Sequence, residues 1–461
     1  MTVPASFLAL SALALSLAAS AAAEDWTRFR GPNGSGVAAG SNYPAALEPA
    51  TANWRMPVRP GKSSPVLTRD HIFLTAFDEG RLYTQCFRRD TGALVWERAV
   101  ERNREADLNA LNEPAAITPV TDGENVYVLF RDIGLFAYDS GGELLWSTPL
   151  EPFANVMGHA SSPILSGGRV ILQADQKMGS YIAAFDQKNG EIAWKTDRVE
   201  GEGWATPLAY NEGLLTISRG WIGAHASADG RRYWGLQSLS PAIVASPVLA
   251  GDRVYAFGYG RASADGYDSG FNKRDLDGDG SLTPAEYQGS AYMAGVAKYD
   301  GDRDGVLSKQ EYMDAVATVI APSTLVAFRL QADPAAPPTE LWRHERSFEG
   351  VIPTALVYED VIYLIKNGGI LETLDAVSGE SLKRGRLREA IGGYSSSPVA
   401  ADGKIYFANE DGKVSVLAAG GDWEVLSTGD FGEGIFATPA LSDGRIFLRT
   451  DEALYCFGER P

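Results

Sequence analysis

Two stretches of this sequence space their oxygen donors as a hard cation requires: DLDGDGSLTPAE, residues 275–286, and DGDRDGVLSKQE, residues 300–311. In the first, Asp275, Asp277 and Asp279 alternate and Gly280 permits a sharp turn. Ser281 offers its carbonyl, Thr283 follows, and Glu286 closes the loop as a bidentate ligand. In the second, Asp300, Asp302, Asp304, Gly305, Val306 (through its carbonyl), Ser308 and Glu311 take the same places. Ca²⁺ takes six to eight oxygens in flexible geometry, and a loop of this pattern wraps them round one ion. The expectation is two calcium sites of the EF-hand kind, since Glu rather than Asp closes each loop.

Such loops stand between helices. Only residues 287–299 separate the two, so that segment must leave the first loop and enter the second, and Gly289 and Gly295 weaken it as a helix. The segment KQEYMDAVATVIA after the second loop is a better helix, with Tyr312, Val316 and Val319 on one face. Leu282 and Leu307 are placed to pair the loops by a short strand. A compact pair with a structural or modulating role is expected, without the Met-rich groove of an opening sensor.

The elements around this helical module read as β-strands. A small residue, then Ser or Thr, then Pro, then an apolar strand recurs at Pro65, Pro119, Pro163, Pro207, Pro247, Pro398 and Pro439, with Pro353 as a degenerate copy. The intervals are 54, 44, 44, 40, 106, 45 and 41 residues. A period of about 44 is the length of four short strands with their turns, one blade of a propeller. Within each period a second strand of alternating pattern follows, and then a third strand whose Asp/Gly turn leads to Trp, as in CFRRDTGALVW, AYDSGGELLW and AFDQKNGEIAW. The expected fold is all-β: an eight-bladed β-propeller.

The interval of 106 exceeds the period by roughly 62 residues, and both acidic loops fall inside it. The module is therefore read as an insertion in blade five, between its second and third strands, where a surface loop tolerates it. After Pro439 only three strands can follow. TANWRMPV, residues 51–58, resembles ALVWERAV, residues 93–100, and is the expected fourth strand that closes the ring from the N-terminal side. The expected organisation is a signal peptide at 1–23, an extension at 24–50, propeller at 51–260, the EF-hand pair at 261–320 and propeller again at 321–461.

Composition narrows the function classes. The net charge of −18 repels nucleic acid and anionic lipid. Cys86 and Cys456 are the only cysteines, too few for a disulfide framework or a thiolate zinc site. They occupy matching places in blades that closure makes neighbours, too far apart to bridge, so two free buried thiols are expected. Residues 1–23 read as a cleavable export signal, with small residues ahead of Glu24 and no lipid-accepting cysteine beside them. A periplasmic or secreted chain follows, with no membrane span in the mature protein.

The D-x-x-x-G-x-x-x-W pattern, the eight periods and the segment WTRFRGPNGSGVA (26–38) resemble the pyrroloquinoline-quinone-type (PQQ-like) propeller repeat proteins. That family includes quinoprotein alcohol dehydrogenases and the propeller lipoprotein of the outer-membrane barrel assembly machine. Asp, Gly and Trp recur together in three repeats, with the Asp two to four places before the Gly, and the pattern fades later, with Lys383 where Trp is expected and a shortened turn at 418–426. The resemblance implies either of two functions. As a dehydrogenase of alcohols or sugars, the chain would use PQQ in the central channel, with Trp204 as a planar floor. However, it has no adjacent cysteines, its acidic loops lie in the wrong part of the chain to supply the active-site calcium, and no catalytic Asp can be placed. The reading adopted is an exported, calcium-binding, non-enzymatic propeller that binds or scaffolds, its partner another envelope protein or a small ligand at the channel mouth. Residues three or four places before each Pro crowd that mouth. The candidates are Lys62, His159, Trp204, Glu349 and Tyr394, with Phe436 beside them.

Overall fold

The structure is a computed structural model. It describes residues 25–104, 112–155, 157–260, 267–288, 290, 293–294, 296–297, 302, 304–317, 320–346 and 352–459. The expected export signal, Asp300 and Glu349 lie outside the described residues.

Eight four-stranded antiparallel sheets make an eight-bladed propeller. Blade one shows the plan. A short inner strand, Val66–Leu67, is followed by His71–Asp78, Arg81–Arg88 and an outer strand, Leu94–Glu101. The middle strands are buried on both faces and the outer strand is mostly exposed, as blades packed face to face round an axis require. In blade eight the outer strand comes from the other end of the chain. Trp54–Pro57 pairs antiparallel with Ala453–Gly458, setting Trp54 opposite Cys456 as Trp96 stands opposite Cys86. Both thiols are free and buried; burial pushes Cys86 up to about 12 and Cys456 up to about 11.

The repeated Trp joins most blades to the next. Trp96 donates its Nε1–H to the Ser140 carbonyl at 2.9 Å, Trp146 to Gln187 at 2.9 Å, Trp194 to Ser227 at 3.1 Å and Trp342 to Ala376 at 3.2 Å. The turn Gly explains itself here. Gly142 has φ +79°, and a Cβ on it would stand 2.5 Å from the Trp96 ring. Gly92 receives Trp54 in the same way, so ring closure reuses the inter-blade joint. Where Lys383 replaces Trp, the joint is reversed. Trp423 of blade seven lies over Gly385 of blade six, and Lys383 Nζ caps the Trp423 ring at 4.6 Å.

In blade five the second strand, Arg253–Gly258, pairs with Ser323–Arg329, so the intervening residues leave and rejoin one sheet. Within them, Tyr267–Asn272 and Lys309–Ala317 are helical, and Ser281–Leu282 pairs with Leu307–Ser308. Phe271, Leu282, Tyr287, Leu307, Tyr312 and Val316 share a small apolar core separate from the clusters of the blades.

Candidate functional site

The Ser or Thr of each repeat turns out to do more than start a strand. The Ser64 N–H donates to the Thr118 hydroxyl (3.0 Å), Thr118 to Ser162 (3.2 Å), Ser162 to Thr206 (3.0 Å) and Thr206 to Ser246 (2.9 Å). Ser246 continues to Thr354 (3.0 Å), Thr354 to Ser397 (3.1 Å), Ser397 to Thr438 (3.0 Å), and Thr438 returns to Ser64 (3.0 Å). Eight backbone–hydroxyl bonds thus close a belt round the axis. In blade six the degenerate copy finds its register through Thr354, which follows its Pro where the other seven precede theirs. The sequence shows the Ser or Thr beside every Pro as part of the repeat, but not the belt that those hydroxyls close.

All eight belt residues line one cavity of about 320 Å³ on the axis. Its other walls are mostly apolar, and Phe29 contributes to them. Phe29 comes from the segment 26–38, which crosses the ring at the far ends of the inner strands. The Leu67 N–H donates to the Trp26 carbonyl, that of Thr121 to Thr27, and Ala400 and Ala38 bond to the segment and the blade in turn. Arg30 is fully buried and spends its guanidinium on the carbonyls of Gly34, Ser35, Thr354, Ala355 and Pro398, at 3.0 to 3.2 Å. Burial without a counter-ion lowers it to about 9. Arg28 does the same toward Pro207 at 2.9 Å. The segment stoppers one end of the channel, and sequence reading gave it no such role.

The opposite end carries the expected mouth residues. Lys62 and Trp204 line the cavity, as does Phe436. Lys62 Nζ lies 4.2 Å from the Phe436 ring centre, and Trp204 is fixed by Nε1–H donation to the Gly158 carbonyl at 2.8 Å. His159 and Tyr394 sit behind the wall instead. His159 is fully buried, its ring 4.4 Å from Phe153, and burial, then Arg131, lowers it to about 3. Tyr394 is buried in the core between blades six and seven and donates to the Ala390 carbonyl at 2.7 Å. The cavity takes Met157, Ala160 and Ser395 from these loops in their place. Lys62 is the sole ionisable side chain among the described residues that line it.

In the first acidic loop, carboxylate oxygens of Asp275, Asp277 and Glu286 lie within 4.8 Å of one another. Asp279 Oδ1 accepts from the Ser281 N–H at 2.7 Å. Glu286 Oε1 accepts from the Leu276 N–H at 2.9 Å, and Oε2 from Thr283 through both its N–H and its hydroxyl at 2.8 Å. These bonds, led by the Thr283 amide, hold the Glu286 carboxyl below its ordinary value. The second loop repeats the arrangement. Glu311 accepts from the N–H groups of Asp302 (3.0 Å) and Ser308 (2.9 Å), and Asp304 accepts from that of Val306 at 2.7 Å. Gly280 and Gly305 turn at φ +83° and +84°.

The fold and its Trp-jointed repeat define a class, the eight-bladed β-propeller, and solved structures like it include PQQ-type propellers. Within that class, residues 83–266 match the family described as outer membrane protein assembly factor BamB. Similar solved structures include BamB from Moraxella catarrhalis, at 14% identity over 89% of this chain and 99% of that one, with a TM-score of 0.58. A europium-containing methanol dehydrogenase is 10% identical over 92% and 89%, with a TM-score of 0.59. The quinohemoprotein alcohol dehydrogenase from Comamonas testosteroni is 13% identical over 94% and 80%, with a TM-score of 0.58. No curated protein matches the sequence.

Proposed function

We propose that this chain is an exported binding or scaffolding propeller of the cell envelope, that it holds two Ca²⁺ ions in its inserted loops, and that its channel mouth receives a ligand or partner without transforming it. The carrying observation is the character of the channel wall. Oxidation of an alcohol needs a base for the departing proton, within hydrogen-bond reach. The described wall offers hydroxyls, apolar groups, Asn112 and Lys62, and no Asp, Glu or His. Both cysteines lie in blade interiors, away from the axis. The envelope partner rests on the family match and on the export signal read from the sequence. No described helix is long and apolar enough to cross a membrane.

The donor chemistry of the loops supports calcium. Asp275, Asp277, Asp279, the Ser281 carbonyl, Thr283 and Glu286 would hold one ion. Asp300, Asp302, Asp304, the Val306 carbonyl, Ser308 and Glu311 would hold the other. Eleven acids against five bases in residues 265–314 repel one another without it.

The dehydrogenase reading keeps one favourable feature, the planar Trp204 on the cavity wall. One preparation decides between them. The purified protein is titrated with Ca²⁺ by calorimetry, then incubated with PQQ and Ca²⁺ and assayed for a bound chromophore and dye-linked alcohol oxidation. Two calcium equivalents and no oxidation are expected; a retained chromophore with turnover would sink the binding reading.

A further inference from the structure

The belt hydroxyls have only part of their bonding capacity accounted for. Each oxygen accepts one backbone N–H from the neighbouring blade. A hydroxyl also has a hydrogen to donate. None of the eight donates to an acceptor among the described residues, and seven of the eight residues are buried, at 2 to 3% exposure. Buried donors without acceptors are costly, and in native proteins they find a partner. Here the side chains all line the same cavity, so an acceptor on the axis would satisfy them together.

The belt's demand is one-sided. Each oxygen has one lone pair taken by an N–H and its hydrogen free, so the belt turns eight donors to the axis, and accepting an N–H polarises a hydroxyl into a better donor. A ring of donors suits an anion with several lone pairs, and charge-assisted bonds are roughly twice as strong as neutral ones. Above the belt the wall turns apolar, with Trp204, Phe436, Ile352, Val244 and Met157. Near the mouth, Glu113 and Asp451 face the cations Lys62 and Arg449, with Glu433 also acting on Asp451, and Lys62 is the charged group on the described wall itself. At the far end Phe29 and its segment block exit. A cavity of about 320 Å³ is at the small end of ligand sites.

We propose that the channel is a receptor for a small apolar carboxylate, of the size of a medium-chain fatty acid, with its carboxylate inside the hydroxyl belt and its tail among the aromatic and aliphatic groups of the mouth. This rests on the reading of the channel as a binding site and names its ligand class.

The test compares three probes on the wild-type protein by calorimetry and Trp fluorescence: octanoate, octanamide of equal length without charge, and acetate without the tail. Octanoate is expected to bind at least tenfold more tightly than either. Thr118→Val with Ser162→Ala removes two donors while keeping shape, and should weaken octanoate at least tenfold with octanamide unchanged. Because those substitutions also orphan the N–H groups of Ser64 and Thr118, a variant that fails to fold is set aside for Ser397→Ala, which opens one bond of the belt. Equal binding of octanoate and octanamide would reduce the site to an apolar cleft and overturn the proposal, as would no binding of either. Calcium titration of the same sample reports separately on the inserted loops, so failure here is distinguishable from failure of the broader reading.

Discussion

At the scale of single residues, burial has settled protonation. His159 and His225 are both buried, and desolvation takes each imidazole down to about 3 from an ordinary 6.5. The unfolded chain therefore binds protons between pH 6.5 and 3 that the folded chain refuses. Their contribution to stability is complete above the unfolded value and is lost as pH falls toward 3. His159→Phe keeps a ring against Phe153 and removes the titration. Urea midpoints of variant and wild type at pH 7 and pH 4 should differ in their gap, with the variant gaining about 1–3 kcal/mol at the lower pH. An unchanged gap would mean that His159 is solvated or paired. The site residues divide on the same principle. Lys62 and Trp204 were legible because charge and a large ring before an inner strand have few places to go. His159 and Tyr394 have the same spacing, yet the wall takes their neighbours Ala160 and Ser395 and buries them. Spacing alone does not say which of two adjacent side chains faces the axis.

At the scale of elements, the blade joint is a two-part device, and its parts should not act independently. Trp96 needs the bare Cα of Gly142, and Gly142 needs φ +79°, which costs a Cβ-bearing residue about 1–2 kcal/mol. Trp96→Ala should destabilise by about 3–5 kcal/mol. Gly142→Ala should cost its backbone strain plus the displaced indole. In the Trp96→Ala background the second part is already gone, so the double variant should be more stable than the sum of the singles by about 1 kcal/mol or more. Equilibrium unfolding of the four proteins closes the cycle, and strict additivity would contradict the contact. The joint was readable in the sequence because Asp, Gly and Trp recur within one short window. The reversed joint of Lys383 and Trp423 was not, since a lost Trp says nothing about which neighbour replaces it. Nor was the stopper, whose bonds join Arg28 and Arg30 to carbonyls 179 to 368 positions away. Contacts of that range leave no periodic trace.

At the scale of the whole molecule, the chain is a closed ring with one foreign body in it. Ring closure depends on Trp54–Pro57 and on the hydroxyl belt, both far from the acidic loops. The insertion has its own apolar core around Phe271, Leu282, Leu307 and Tyr312. Its two roots are tied to blade five by paired strands, by bonds between Gly260 and Ser323, and by reciprocal backbone bonds between Tyr259 and Ala242. Those ties use no acidic side chain, so the roots hold whether or not the loops are neutralised. Metal binding should therefore fold the insertion without being needed by the blades. Glu286→Gln with Glu311→Gln should abolish high-affinity calcium binding and open residues 261–320 to protease, while the unfolding free energy of the propeller shifts by less than about 0.5 kcal/mol. Hydrogen exchange, read with calcium and with chelator, should show protection lost in the insertion alone. If chelation instead melted blades and insertion in one transition, the roots would be transmitting the loops' state into the ring, and the Ala242–Tyr259 contact would be the place to look for the coupling.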